Sequence, residues 1–204
     1  RIKTAVPIVV GDSLNGFRIV GTVPELFDVE YKSGKKHSVQ KPGRLFNDDV
    51  QEAVIGSYAA RVVKWKQEKP DGTKVKRKGL RVGDVFRPMH GLGRESKIVH
   101  PVDYLVTGIL QPSNTPADHV IWIPIKGLQN MPGHDVKKKT EVSAILLQFN
   151  SAQQGTIYAD RINKETRDKT VAMIAPEVTN FFQRFEWLRV VLGVMALLVA
   201  LVGA

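Results

Sequence analysis

The chain contains no cysteine. That excludes a disulfide framework, thiol catalysis and a cysteine-ligated zinc finger, and leaves the compartment open. It also lacks the G-x-x-x-x-G-K-S/T phosphate loop, so ATP is not expected to bind here by that route. The G-x-S-x-G elbow, the H-E-x-x-H helix and the EF-hand loop are missing as well. No initiator Met or signal peptide stands at the start, where Arg1-Ile2-Lys3-Thr4 leads straight into a strand-like run. A fragment or a processed chain is expected. Acidic residues are few, 20 against 30 Lys and Arg, and the net charge of +10 brings nucleic acid and anionic lipid into consideration.

What is present suits a folded protein. The 204 residues are 43% hydrophobic and 25% charged, enough for one large domain or two small ones and too apolar for disorder. The basic surplus is concentrated between Arg61 and Arg81, with smaller clusters at Lys32 to Arg44 and Lys137 to Lys139. Apart from Trp65 this stretch lacks aromatics for stacking on bases, and no nucleic-acid motif accompanies it, so no nucleic-acid partner is expected. Solvated hairpin charge is the default reading, and contact with lipid headgroups or an acidic partner the alternative.

From Val190 to Ala204 no side chain is polar. As a helix these residues span about 22 Å, short of the roughly 30 Å hydrocarbon core unless neighbours contribute. Upstream, Val178, Phe181, Phe182, Phe185 and Leu188 share one face of a helix that begins near Pro176. Trp187 sits where the character changes, as an interfacial aromatic does, and Val191 lies just inside the apolar run. A single helix over 176–204 is expected, amphipathic first and then in lipid. A buried helix of a soluble core is the alternative.

Residues 1–175 read as mixed α and β, with scattered strands and a few helices arguing an α+β fold. Strands are expected at 5–10, 17–23, 83–86, 104–110, 120–125, 142–149 and 170–174. Helices are expected at 50–63, capped by Asp48 or Asp49, and at 152–163. The polar stretch 64–78, with Pro70-Asp71-Gly72 as its turn, reads as a hairpin.

Five histidines occur: His37, His90, His100, His119 and His134. His119 follows Asp118 and His134 precedes Asp135, and imidazole beside carboxylate is metal-ligand chemistry. No spacing fixes such ligands locally, so exposed turn histidines are the default. His119 and His134 are the metal candidates, and no catalytic or cofactor-binding residue is assigned.

Several stretches resemble the extracytoplasmic core domain of MacB/FtsX-like ABC transporter permeases. They are Glu52-Ala53-Val54-Ile55-Gly56-Ser57 with Ala59-Ala60-Arg61, then Gly79-Leu80-Arg81-Val82-Gly83-Asp84-Val85-Phe86. Tyr104 to Leu110, Gln111 to Asp118 and Ile121-Trp122-Ile123-Pro124-Ile125 continue the likeness, and 64–78 looks like a basic insertion. Asn114 stands where the family more often has glycine. The resemblance implies a non-enzymatic permease subunit, its periplasmic domain moved by ATP hydrolysis on a separate ABC ATP-binding subunit. It further implies a permease homodimer in a bacterial inner membrane, contact with lipid and with a periplasmic partner protein, and no cofactor in this chain. Some branches of the family are associated with metal homeostasis. The other readings are a membrane-tethered periplasmic binding or scaffold domain without a transport cycle, and a membrane-anchored hydrolase using Asp118 and His119.

Overall fold

The computed structural model describes residues 2–68, 72–91, 98–134 and 140–203. Lys69, Pro70 and Asp71, at the expected hairpin turn, and Lys137 to Lys139 fall outside them. The chain divides into two compact units, Thr4–Gln148 and Phe149–Ala204 with Arg1–Lys3. The fold is α+β.

The larger unit is built on a seven-stranded mixed sheet. Its strands are β1 (Ile2–Leu14), β2 (Phe17–Thr22), β5 (Glu52–Ile55), β8 (Val85–Phe86), β9 (Tyr104–Ile109), β10 (Ile121–Pro124) and β11 (Ala144–Phe149), in the order β11-β1-β2-β10-β5-β9-β8. Two ribbons stand apart from it, β3 (Glu30–Lys32) with β4 (Lys35–Lys36), and β6 (Lys64–Glu68) with β7 (Lys74–Lys78). Within the basic stretch, Lys64–Glu68 and Lys74–Lys78 therefore form an antiparallel pair, the hairpin expected from the sequence.

Both faces of the sheet are buried. Successive strand residues point to opposite faces, and here each face meets its own core. Ile19, Ala53, Ile55, Ile121 and Ile123 pack with Trp65, Phe86, Tyr104 and Leu128 on one side. Their neighbours Val20, Val54 and Trp122 pack with Val6, Phe27, Phe46 and Leu110 on the other. The two-sided burial accounts for the continuous apolar runs of the central strands.

One expected helix is corrected by this arrangement. Residues 52–55 are a buried central strand, and α1 covers only Ser57–Val62. A short apolar run is ambiguous between strand and buried helix. Gly56 separates the two elements, and a Cβ there would lie 2.3 Å from the Ala117 carbonyl oxygen. Glu52, although buried, has its carboxylate bound by the Arg44 guanidinium and by the Asn47 amide.

In β1 the register slips between Val10 and Ser13, where three steps on β1 answer two on β2. This is a bulge, and it reverses which face even-numbered residues meet. Val6, Ile8 and Val10 pack on one side of the sheet, but Leu14 packs on the other. Asp12 sits inside the reversal.

In the smaller unit α3 (Ala152–Glu165) is capped by Ser151, whose hydroxyl accepts from the Gln154 amide at 3.4 Å. The strand expected at 170–174 is not formed. Val171 instead exchanges hydrogen bonds with the Asn163 side chain, at 2.7 and 2.9 Å, and a helix starts at Ile174. That helix, α4 (Ile174–Val202), contains an 18-residue segment, Phe185–Val202, of mean hydropathy 2.2. None of the segment is buried within the chain, so a helix packed inside a soluble core does not describe it. By length and composition it can cross a membrane. Phe181, Phe185, Trp187, Leu188 and Val191 are all exposed on it; the Phe182 side chain lies outside the described residues.

Candidate metal centre

Three histidines and one aspartate converge beside the bulge. The side-chain donor atoms of Asp12, His90, His100 and His134 all lie within 4.8 Å of one another.

Backbone pairing brings the first three together. Ser13 of β1 exchanges two hydrogen bonds with Met89, at 3.0 and 2.8 Å. Met89 in turn bridges Val99, while His90 N–H donates to Ile98 and His100 N–H to Pro88. Three short extended segments thus lie side by side, and the bulge aims Asp12 at two histidines ten residues apart. His134 arrives from a different direction. It closes the turn after α2 (Ile125–Gln129), its amide donating to the Met131 carbonyl at 3.2 Å. Gly133 has a φ of +94°, a conformation glycine adopts without steric cost.

The distances fit a cation held by four donors. His100 Nε2 is 3.3 Å from Asp12 Oδ2, and His134 Nε2 is 3.3 Å from the same oxygen. His90 Nδ1 is 3.4 Å from His100 Nε2 and 3.8 Å from Asp12 Oδ1. A tetrahedron with zinc–ligand bonds of about 2.0 Å has edges of about 3.3 Å.

The outer hydrogen bonds decide the tautomers. His100 Nδ1 is 2.8 Å from the Pro132 carbonyl, and His134 Nδ1 is 3.0 Å from the Leu128 carbonyl. A carbonyl only accepts, so in the neutral ring Nδ1 carries the proton and Nε2 offers its lone pair inward. Backbone carbonyls orient metal-bound imidazoles in the same way. Two inward lone pairs facing a carboxylate repel until a proton or a metal cation lies between them. Asp12 Oδ2 is buried without a hydrogen-bond partner among the described residues, while Oδ1 accepts from the Gly91 amide at 3.2 Å.

Burial is graded across the group. The side chains of Asp12 and His100 are 1% and 3% exposed, His134 is 21% exposed and His90 48%. The centre is anchored in the core and open at His90, where a cavity of about 360 Å³ is lined by His90, His100 and Gly133. Nearby, burial first and then the negative charge of Asp12 push the Tyr104 phenol well above its usual range.

Of the two metal candidates, His134 belongs to this group and His119 does not. His119 ends the short turn Pro116–His119 and stacks on Tyr58, ring centres 4.2 Å apart. They border a larger cleft of about 620 Å³ with Arg61 and Asp118. The Asp118 carboxylate is occupied by its own loop, accepting from Ser113 N–H, Ser113 Oγ and Asn114 N–H at 2.8–3.1 Å. Burial pushes that carboxyl up, and these bonds together hold it below its ordinary value. Asp118 thus serves the loop, and His119 lies against an aromatic ring.

Asp12, His90 and His100 escaped sequence reasoning. No pair among the four ligands has the i, i+4 spacing that marks a helical site. Asp12 reads as a turn residue beside Gly11, and only the bulge and the Met89 bridge reveal its direction. No protein-family model matches this chain, and no curated protein matches it either.

Proposed function

We propose that this chain is a membrane-anchored domain that binds a divalent transition cation of the zinc class through Asp12, His90, His100 and His134. The observation that carries the reading is the set of 3.3–3.4 Å contacts among inward-facing imidazole nitrogens and the Asp12 carboxylate. Three neutral imidazoles and one carboxylate are donors of borderline softness, suited to zinc. With all four donors engaged, tetrahedral zinc has no position left for an activated water. Capture or sensing of the metal therefore fits better than hydrolysis, and His90 supplies the side from which it exchanges.

The setting we propose is the permease subunit of an ABC transporter of the MacB/FtsX and lipoprotein-release type. The ordered motifs between Glu52 and Ile125 and the unburied apolar segment of α4 support it. In this reading the domain lies in the periplasm, α4 enters the inner membrane, and a separate subunit hydrolyses ATP. A tethered metal-binding domain without a transport cycle is the second reading, favoured by the metal cluster alone.

Calorimetric titration of the metal-stripped chain with zinc tests the binding. One equivalent should bind, and H100A should abolish it while H119A leaves it intact. Equal binding by H100A and the parent chain would refute the site. Copurification of an ATPase whose activity depends on this chain separates the two settings.

A further inference from the structure

The β6–β7 ribbon carries an arrangement that folding does not explain. Its register sets Lys64 opposite Lys78 and Lys66 opposite Lys76. Residues two apart share a face, and directly opposed ones are its closest neighbours, so all four lysines project from one face. All four are exposed, and none has an anionic partner among the described side chains. Like charges directly opposite each other destabilise a ribbon.

The other face packs inward through Trp65, Val75 and Arg77. Trp65 is buried, donates its indole N–H to the Val85 carbonyl at 2.9 Å, and is covered by the Arg77 guanidinium at 4.1 Å. Arg77 also binds Asp84, and Val75 packs against the core. The inward face therefore locks the ribbon in register, and the outward lysines cannot slip out of opposition. Asp103, which borders the same groove as Lys64 and Lys66, is engaged by Arg87 at 2.6 Å.

We infer that this face is a binding site for the phosphates of anionic lipid headgroups. Lysine is depleted from protein–protein interfaces, where aromatics and arginine are enriched. Here the one arginine of the ribbon faces inward and the cations facing out are all lysine. Lysine acts as a hydrated point charge that suits phosphate without demanding fixed geometry. A bilayer is at hand on the proposed reading of α4, on which this inference rests. Each lysine near an anionic surface adds about fivefold in partition.

The test uses the full chain held in phosphatidylcholine nanodiscs, mixed with sucrose-loaded vesicles. Co-sedimentation is expected with vesicles containing phosphatidylglycerol, not with phosphatidylcholine alone, and should be lost at high salt. The quadruple variant K64Q/K66Q/K76Q/K78Q should bind at least tenfold more weakly, with a thermal transition no lower than the parent's reporting that it is folded. Equal sedimentation with both lipids, or undiminished binding by the quadruple variant, overturns the site. Lysine-dependent binding to polyglutamate with none to the anionic vesicles overturns it in favour of an acidic protein. Competition by inorganic phosphate at concentrations matching the lipid phosphate would also overturn it, by making the free ion the ligand. Failure of the chain to enter nanodiscs at all would instead strike the reading of α4.

Discussion

His134 Nε2 lies 3.3 Å from Asp12 Oδ2, although 122 positions separate the two residues in the chain. A bulge turns the aspartate inward, and a glycine turn after α2 delivers the histidine. A bound cation would tie β1, residues 88–91 and 98–100, and that turn together.

Zinc at 100 times its dissociation constant should therefore stabilise the fold by about 2.7 kcal/mol. A rise of several degrees in melting temperature is expected, reversed by a chelator and absent in H100A. Replacing His134 should weaken affinity more than replacing His90, because His134 is the more buried and is oriented by the Leu128 carbonyl. Calorimetric titration of each variant checks the order.

Glu52 supplies an acid limit to stability. The hydrogen bonds from Arg44 hold its carboxyl below the ordinary value of 4.5, outweighing the upward push of burial. A depressed folded-state pKa contributes stability that is present above the unfolded value and lost as pH falls through the folded one. Stability should thus decline below about pH 4.5. E52Q should flatten that decline and cost about 2 kcal/mol at neutral pH. Urea denaturation at pH 7 and pH 3 measures both.

The lysine ribbon should be more stable once its repulsion is relieved. K76E places opposite charges at the Lys66 position and is expected to gain roughly 0.5 kcal/mol. The same change should weaken binding to anionic vesicles. A gain in thermal stability together with a loss of vesicle binding is the signature to look for, a trade common at functional surfaces.

The apolar segment of α4 should not tolerate charge. Val194 lies near the middle of Phe185–Val202, and V194R should cost about 3 kcal/mol of insertion. The parent chain is expected to stay with membranes after carbonate extraction, and the variant to be released more readily. Equal behaviour of the two would count against insertion.

Much of the architecture was legible in the residues because it depends on short-range pattern. Val190 to Val202 has no polar side chain, so a long apolar helix follows from composition. Short apolar runs located β2, β9, β10 and β11, and the Pro-Asp-Gly sequence located the basic ribbon. Glu52 to Ile55 was misread because this short buried run leads directly through Gly56 into α1, and nothing in its pattern separates the strand from the helix that follows. Residues 170–174 were misread because the Asn163 side chain satisfies the backbone that a strand would have paired.

Sequence alone settled the α+β class, an apolar helix able to cross a membrane, and the position of the surplus positive charge. Each of these is a property of neighbouring residues. Tertiary structure alone decided that His134 joins the Asp12 cluster of candidate ligands and that His119 stacks on Tyr58. Asp12, His90, His100 and His134 come from separate segments, and their meeting depends on a one-residue slip in β1. A slip of that kind reverses the facing of side chains and leaves no mark in composition.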